Sequence, residues 1–179
     1  MPYNLKKMTK LDLALNEFDP YFWRYIDKLT EEILLRDSFR IGKDNVIQFF
    51  KSIPYKKHDF AYQKGKWTCK EVLQHLIDTE RIFQYRCFRI ARNDKTALAG
   101  YDQNDYVEPS LAQHKTMEEL ISEFIAVRNS SISFLKSISN ENLKNVGVAS
   151  NGNMSARAAA FIITGHEIWH LEMLKERYL

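Results

Sequence analysis

The spacing of apolar residues predicts helices joined by loops, and the chain has no strong alternation of the kind that marks a β-strand. The clearest helix follows the capping box Thr68–Glu71, after which apolar residues recur every three or four positions and predict an end near Asn93. A second capping box, Thr116–Glu119, opens another helix, which the same spacing extends to Ile138. Both segments are long enough to span a helical bundle.

Weaker signals predict two further long helices. One begins after Thr30, carries acidic residues in its first turn, where the helix dipole favours them, and ends before Pro54. The other is capped by Ser155 and continues to Arg177. The polar stretch 146–153, which contains two of the few glycines, is predicted to be a loop.

Two segments differ from these helices. The first eighteen or so residues are expected to form a leader or a loosely docked segment, and Pro20 is expected to begin a short helix; together residues 1–26 form the N-terminal arm. The connection NDKTALAGYDQNDYVEPS, residues 93–110, is long enough to indicate a functional loop. The whole pattern predicts one all-α domain over residues 1–179, a four-helix bundle with a short N-terminal helical arm and a long crossover loop.

Composition narrows the functional classes. The net charge is only +3 and the basic residues are scattered, which argues against nucleic-acid binding. No apolar run approaches the length of a membrane span, so we expect no membrane partner and a cytoplasmic location. The two cysteines, Cys69 and Cys87, are too few for a disulfide framework, and we expect both to be reduced thiols.

The histidines are the candidate chemical groups. His166 and His170 lie about 40° apart around a helix axis and about 6 Å apart along it, so both point the same way. His75 lies among apolar and small residues on the helix that follows Thr68, and it is expected to face the bundle interior. A single histidine on such a face is more often a satisfied core residue, so the pair carries the stronger evidence. Three converging imidazoles with an open fourth position are typical of a catalytic metal site.

The segment His166–His170 reads H-E-x-x-H, the zinc-protease pattern in which the glutamate is the general base. A protease needs a third ligand from downstream, and only nine residues follow His170. The longer H-E-x-x-H-x-x-G-x-x-H pattern also fails, because Met173 and Glu176 occupy its glycine and final histidine positions. We therefore expect no protease, and we assign Glu167 to the helix flank or to the surroundings of the ligands.

Three stretches together resemble the DinB-like superfamily of metal-binding four-helix bundles, which includes bacillithiol S-transferases. They are GKWTCKEVLQHLIDTERIFQYR, AGYDQNDYV and the terminal GHEIWHLEMLKERYL. The resemblance implies a divalent metal ion, zinc or nickel, held by His75, His166 and His170, and it implies a homodimer. It also places Tyr101, Asp102 and Tyr106 near the mouth of the site, where we expect them to contact substrate.

Three functional hypotheses follow. The first is a thiol S-transferase, in which the ion binds a small-molecule thiol and lowers its pKa for attack on an electrophilic substrate. The second is a hydrolase, in which the ion lowers the pKa of a bound water. The third is a non-catalytic dimer or binding module with a structural metal, which a fourth protein ligand would support.

Overall fold

A computed structural model describes residues 7–179, which form a bundle of long helices with short helical turns and one hairpin at its ends. The helices and strands, in chain order, are α1 (Trp23–Ile26), α2 (Leu35–Ser52), α3 (Cys69–Ala91), α4 (Met117–Lys136), α5 (Asn140–Leu143), β1 (Val146–Ala149), β2 (Gly152–Ser155) and α6 (Ala156–Arg177). Short 3₁₀ helices occur in the N-terminal arm and in the connections on either side of α3.

The four long helices pack in a ring. Helix α3 contacts α4 and α6, and α2 contacts the same two helices from the other side. The consecutive helices α2 and α3 therefore lie across a diagonal, and the chain crosses the bundle between them. This arrangement confirms the predicted four-helix bundle. Among the described residues no helix is both long enough and apolar enough to cross a bilayer.

Side-chain caps fix the beginnings of three of these helices where the sequence predicts them. The Thr68 hydroxyl accepts a hydrogen bond from Glu71 N at 3.2 Å, and Glu71 Oε2 accepts one from Thr68 N at 2.7 Å. Thr116 makes the equivalent reciprocal pair with Glu119 at the start of α4. Ser155 Oγ accepts from Ala158 N at 3.0 Å and begins α6. These caps satisfy amide groups that the first helical turn leaves without a partner.

Two predicted boundaries are wrong. Helix α2 begins at Leu35 and not after Thr30, so Glu31 and Glu32 lie in a turn outside it. The reason is the extended backbone of Leu34, at φ −78° and ψ 140°, which a helix cannot include. Helix α4 ends at Lys136, and Ile138 packs into the core from the turn that follows.

The predicted loop 146–153 is also wrong, because this stretch is an antiparallel hairpin. Val146 pairs with Ser155 and Ala149 with Gly152. The crossover loop joins it, since Leu98 N donates to Val148 O at 2.9 Å. The hairpin thereby anchors the crossover loop to the end of the bundle.

The N-terminal arm is docked and not loose over the residues that the structure describes; residues 1–6 of that prediction lie outside them. Met8 and Phe18 are buried in the core. Glu17 is also buried and accepts a hydrogen bond from Arg157 Nε at 2.8 Å, which ties the arm to the first turn of α6. The predicted short helix after Pro20 is confirmed as a 3₁₀ turn that runs into α1.

A buried charged layer divides the core into two apolar clusters. Arg128 on α4 is about 1% exposed, and its guanidinium lies 5.1 Å from the Phe39 ring of one cluster and 5.0 Å from the Phe124 ring of the other. Arg128 Nε donates to both oxygens of Glu80 on α3 at 2.8 and 3.0 Å. Its Nη2 also contacts Glu167 on α6, and its Nη1 donates to Phe39 O on α2 at 3.2 Å. One side chain thus bonds to the other three helices of the bundle.

Replacement of Thr68 by alanine tests the cap of α3. We expect Thr68→Ala to lower the free energy of unfolding by about 0.5–2 kcal/mol, because the Glu71 amide loses its acceptor. Thr68→Ser keeps the hydroxyl and serves as the control, with a smaller change expected. Urea denaturation of both variants measures the difference, and equal stability of Thr68→Ala and wild type would contradict the assignment.

Replacement of Arg128 by methionine tests the charged layer. We expect Arg128→Met to lower the free energy of unfolding by about 3–5 kcal/mol, because two buried carboxylates lose the cation that they share. Adding Glu80→Gln and Glu167→Gln to the same chain should recover part of that loss, since the buried negative charge is then removed. Thermal and urea unfolding measure both variants. A single variant as stable as wild type would show that the layer does not hold the bundle.

Candidate metal centre

Three histidines meet inside the bundle between α3 and α6. His166 Nε2 lies 3.0 Å from His75 Nε2 and 3.0 Å from His170 Nε2. One ligand-capable nitrogen from each residue lies within 4.8 Å of the others, and all three side chains are buried. The predicted convergence of these imidazoles is therefore present in the structure.

Burial keeps these imidazoles neutral. It lowers the pKa of His75 to about 4. It also lowers the pKa values of His166 and His170 well below their ordinary range, and the neighbouring histidines lower them further. All three therefore carry no charge near neutral pH. A neutral imidazole has one nitrogen lone pair free, which is the form that binds a metal ion.

Hydrogen bonding alone does not satisfy this cluster. A neutral imidazole nitrogen is either a donor or an acceptor, so His166 Nε2 satisfies only one of its two 3.0 Å neighbours at a time. A cation at the common point accepts all three lone pairs. Thr79 Oγ1 lies 3.4 Å from His75 Nδ1. A hydrogen bond donated by Nδ1 to this hydroxyl would leave Nε2 free for a metal ion. The residues therefore fit a divalent metal ion.

The N-terminal arm forms one wall of the centre. The Tyr25 ring lies edge-on to His166, with 5.0 Å between the ring centroids, and it also contacts Trp169 at 5.9 Å. Gly165 makes this approach possible, because a Cβ at that position would lie 2.1 Å from Tyr25 O. Glycine at position 165 thus allows the arm to pack directly beside the histidines.

One cavity borders the cluster beside His166, and another borders it beside His170. The His166 cavity has a volume of about 440 Å³ and combines apolar rings, including Phe22 and Phe83, with polar groups. The His170 cavity has a volume of about 380 Å³ and is lined largely by aromatic and basic side chains. Tyr25 lines both cavities and lies at the boundary between them.

Arg86 is a site residue that the sequence did not single out. It is buried, donates to Ala99 O at 3.0 Å and to Ser150 Oγ at 2.8 Å, and lines the His166 cavity. In the sequence, Arg86 is one of the scattered basic residues. Arg86 lies eleven residues after His75, which places both residues on the same face of α3. This spacing is the sequence feature that could have indicated Arg86 as a site residue.

The predicted substrate residues of the crossover loop lie beside the centre. Tyr101 and Asp102 line the His166 cavity, and the Tyr101 hydroxyl lies 3.5 Å from Thr79 Oγ1. Asp102 Oδ1 accepts a hydrogen bond from Asn104 N at 2.8 Å and caps a 3₁₀ turn. Tyr106 is 44% exposed and packs against Tyr101, with 5.3 Å between the rings. Contact of these residues with substrate stays a prediction.

Glu167 does not face either histidine cavity. Its carboxylate contacts Arg128, and it lines a groove between α2 and α6 on the other side of α6. Burial raises the pKa of Glu167 to about 7, and Arg128 opposes that rise. Burial lowers the pKa of Arg128, but the Glu167 and Glu80 carboxylates raise it, and the net result is a pKa above the ordinary value of arginine. Glu167 therefore belongs to the charged layer, and the protease arrangement of H-E-x-x-H is absent.

Comparison with known proteins places the chain in a family. The family model of the DinB superfamily matches residues 38–174. The chain belongs to the DinB superfamily. The matched residues include all three histidines and the four long helices except for the ends of α2 and α6, whereas the N-terminal arm precedes the match. A search of curated protein sequences found no significant match.

Solved structures share this fold at low sequence identity. YfiT from Bacillus subtilis, described as a probable metal-dependent hydrolase with an unusual four-helix bundle topology, is 16% identical with a TM-score of 0.69; the match covers 80% of this chain and 85% of YfiT. A mycothiol-dependent maleylpyruvate isomerase is 10% identical with a TM-score of 0.63, and the match covers 92% of this chain and 62% of the isomerase. At these identities the likeness supports the fold.

Replacement of one histidine tests whether the cluster binds metal. We expect His166→Ala to weaken zinc or nickel binding by more than the roughly 10- to 100-fold that loss of an outer partner causes. Metal content after dialysis and competition with a chelator give the affinity, and circular dichroism checks the fold. His114→Ala is the control, because His114 is exposed and lies outside the cluster. Equal metal content in the two variants would rule out the cluster as the binding site.

Proposed function

We propose that the chain is a metal-dependent enzyme that transfers a small-molecule thiol to an electrophilic substrate. The observation that carries this proposal is the position of the three neutral histidines between two separate cavities. A transfer reaction needs two different ligands side by side, and the two cavities offer one place for each. Membership of the DinB superfamily agrees with a metal-dependent activity.

His75, His166 and His170 would hold a divalent ion, which supplies a Lewis acid that lowers the pKa of a thiol bound to it. Within residues 7–179 no further histidine, cysteine, aspartate or glutamate joins the cluster, which leaves a coordination position for an outside ligand. That open position argues against the purely structural role considered above.

The thiol must come from a second molecule. Cys69 and Cys87 are both free and buried, and neither lines a cavity beside the histidines. Burial raises the pKa of Cys69 to about 11 and that of Cys87 to about 12. Neither thiol ionises near neutral pH, so the chain has no nucleophilic cysteine of its own.

In the His166 cavity, Phe22 and Phe83 offer an apolar surface, while Arg86 and Tyr101 offer donors to a developing negative charge. The Tyr101 hydroxyl lies 3.5 Å from Thr79 Oγ1, which in turn lies 3.4 Å from His75 Nδ1. These side chains suit an electrophile with an apolar body and a polar reactive group. We assign the electrophile to this cavity.

Hydrolysis is the second candidate function. YfiT is described as a probable metal-dependent hydrolase, and the His166 cavity holds the carboxylates of Asp19 and Asp102. A carboxylate beside the reaction centre is a suitable general base for water. A hydrolase would use one cavity for its substrate and would need no thiol.

Turnover with and without thiol distinguishes the two functions. We expect the metal-loaded protein to convert electrophilic substrates only when a small thiol is present, with a rate that saturates as the thiol concentration rises. The measurement is a panel of electrophiles and esters, assayed with and without thiols. His166→Ala should abolish the activity and His114→Ala should keep it. Thiol-independent turnover that His166→Ala abolishes would identify a hydrolase.

A further inference from the structure

The His170 cavity has a one-sided charge. Three cationic side chains line it, and no aspartate or glutamate does. They come from three separate parts of the fold: Arg24 from α1, Lys66 from the loop before α3, and Arg177 from the last residue of α6. A cleft lined by charges of one sign focuses their potential and concentrates ligands of the opposite sign.

None of these three cations is neutralised by an ion pair in the part of the chain that the structure describes. Arg24 lies 4.2 Å from the centroid of the Tyr21 ring, and Arg177 Nη1 donates to the Tyr62 hydroxyl at 3.2 Å. By contrast, Arg81 pairs with Glu123 at 2.8 Å, and Arg128 pairs with Glu80 at 2.8 Å. The cations around the His170 cavity therefore keep their charge for a ligand.

Much of the rest of the cavity wall is aromatic. The Trp67 ring lies 4.7 Å from the ring of His75, and the Trp169 ring lies 4.8 Å from the ring of His170. Flat rings close to the histidines suit the uncharged part of a ligand, whereas the cations at the outer parts suit an anionic group. A molecule held this way would present its uncharged end to the histidines.

We propose that the His170 cavity binds a small molecule through a carboxylate or phosphate group. As a refinement that rests on the proposed function, this molecule is the thiol co-substrate: its anionic group contacts Arg24, Lys66 and Arg177, and its sulfur lies at the histidines. The enzyme would then select anionic thiols over neutral ones.

Two of the three cations lie outside the part of the chain that the superfamily model matches. Arg24 and Arg177 both lie outside residues 38–174, the part that the superfamily model matches. Lys66 lies inside it, in the loop that leads into α3. The histidines are therefore supplied by the matched part, while two of the three cations are supplied by the flanking segments.

Calorimetric titration of the metal-loaded and metal-free protein tests the site without any thiol. The probes are succinate, inorganic phosphate and the neutral analogue succinamide. We expect succinate or phosphate to bind both protein forms, and succinamide to bind neither. Arg177→Gln should weaken anion binding by about tenfold or more, because a charge-assisted hydrogen bond is lost. Lys66→Gln, in an exposed loop, should weaken it in the same direction with no effect on folding.

Lys175→Gln is the matched control. Lys175 lies on the same helix two residues before Arg177, is also exposed, and its ammonium lies 5.7 Å from the Phe49 ring, beside the groove between α2 and α6. Its removal should leave anion affinity unchanged. Anion affinity that is unchanged when Arg24, Lys66 and Arg177 are all replaced by glutamine would overturn the proposal. Succinamide binding as tight as succinate binding would overturn it too.

This design separates the anion site from the proposed reaction. If the protein binds anions through Arg177 but has no metal-dependent turnover, the anion site stands and the transferase proposal fails. If turnover requires metal and thiol but neutral and anionic thiols react equally well in wild type and Arg177→Gln, the transferase stands and the anion site fails. If both hold, Arg177→Gln should raise KM for an anionic thiol and leave kcat unchanged.

Discussion

The buried guanidinium of Arg128 is the constraint on which the bundle depends. It is the point at which all four long helices meet through polar bonds, since its donors reach Glu80 on α3, Glu167 on α6 and a carbonyl on α2. Burial of a charge is costly unless it is paired and fully hydrogen-bonded. Other packings of these helices leave the charge or its carboxylates without partners, so the layer specifies one arrangement among those that apolar contacts alone would allow.

The same layer sets the geometry of the histidines. Glu167 is adjacent to His166, and Glu80 lies five residues after His75 on α3. When Arg128 binds both carboxylates, it fixes the position and rotation of α3 relative to α6 next to the three histidines. Gly165 then admits the N-terminal arm on the opposite side. The glutamate of H-E-x-x-H thus supports the histidines from outside the two histidine cavities.

Sequence patterns predicted the elements whose signals are local. The capping boxes at Thr68 and Thr116 located two helices, and the spacing of His166 and His170 located the centre. The hairpin was missed because its buried positions in β1 carry small residues while its valines face outward, which hides the alternation. Each strand is also only four residues long, which is too short for an alternation of apolar and polar residues to be recognised.

Features that depend on distant partners were not accessible from one sequence. Arg128 lies on an otherwise apolar face of α4, and its partner Glu80 is 48 residues away along the chain. The docking of the N-terminal arm depends in the same way on Glu17 and Arg157, which are 140 residues apart. A local pattern shows a charge but not its partner, so buried ion pairs look like surface residues.

X-ray absorption of the zinc-loaded protein reports the ligands of the bound ion, so it tests whether the three histidines hold a metal with an open position. We expect three imidazole nitrogens at about 2.0–2.1 Å and a further light-atom ligand that small thiols replace. Addition of a thiol should then produce a sulfur shell at about 2.3 Å. A shell with fewer than three imidazoles, or a fourth protein ligand that thiol does not displace, would contradict the account.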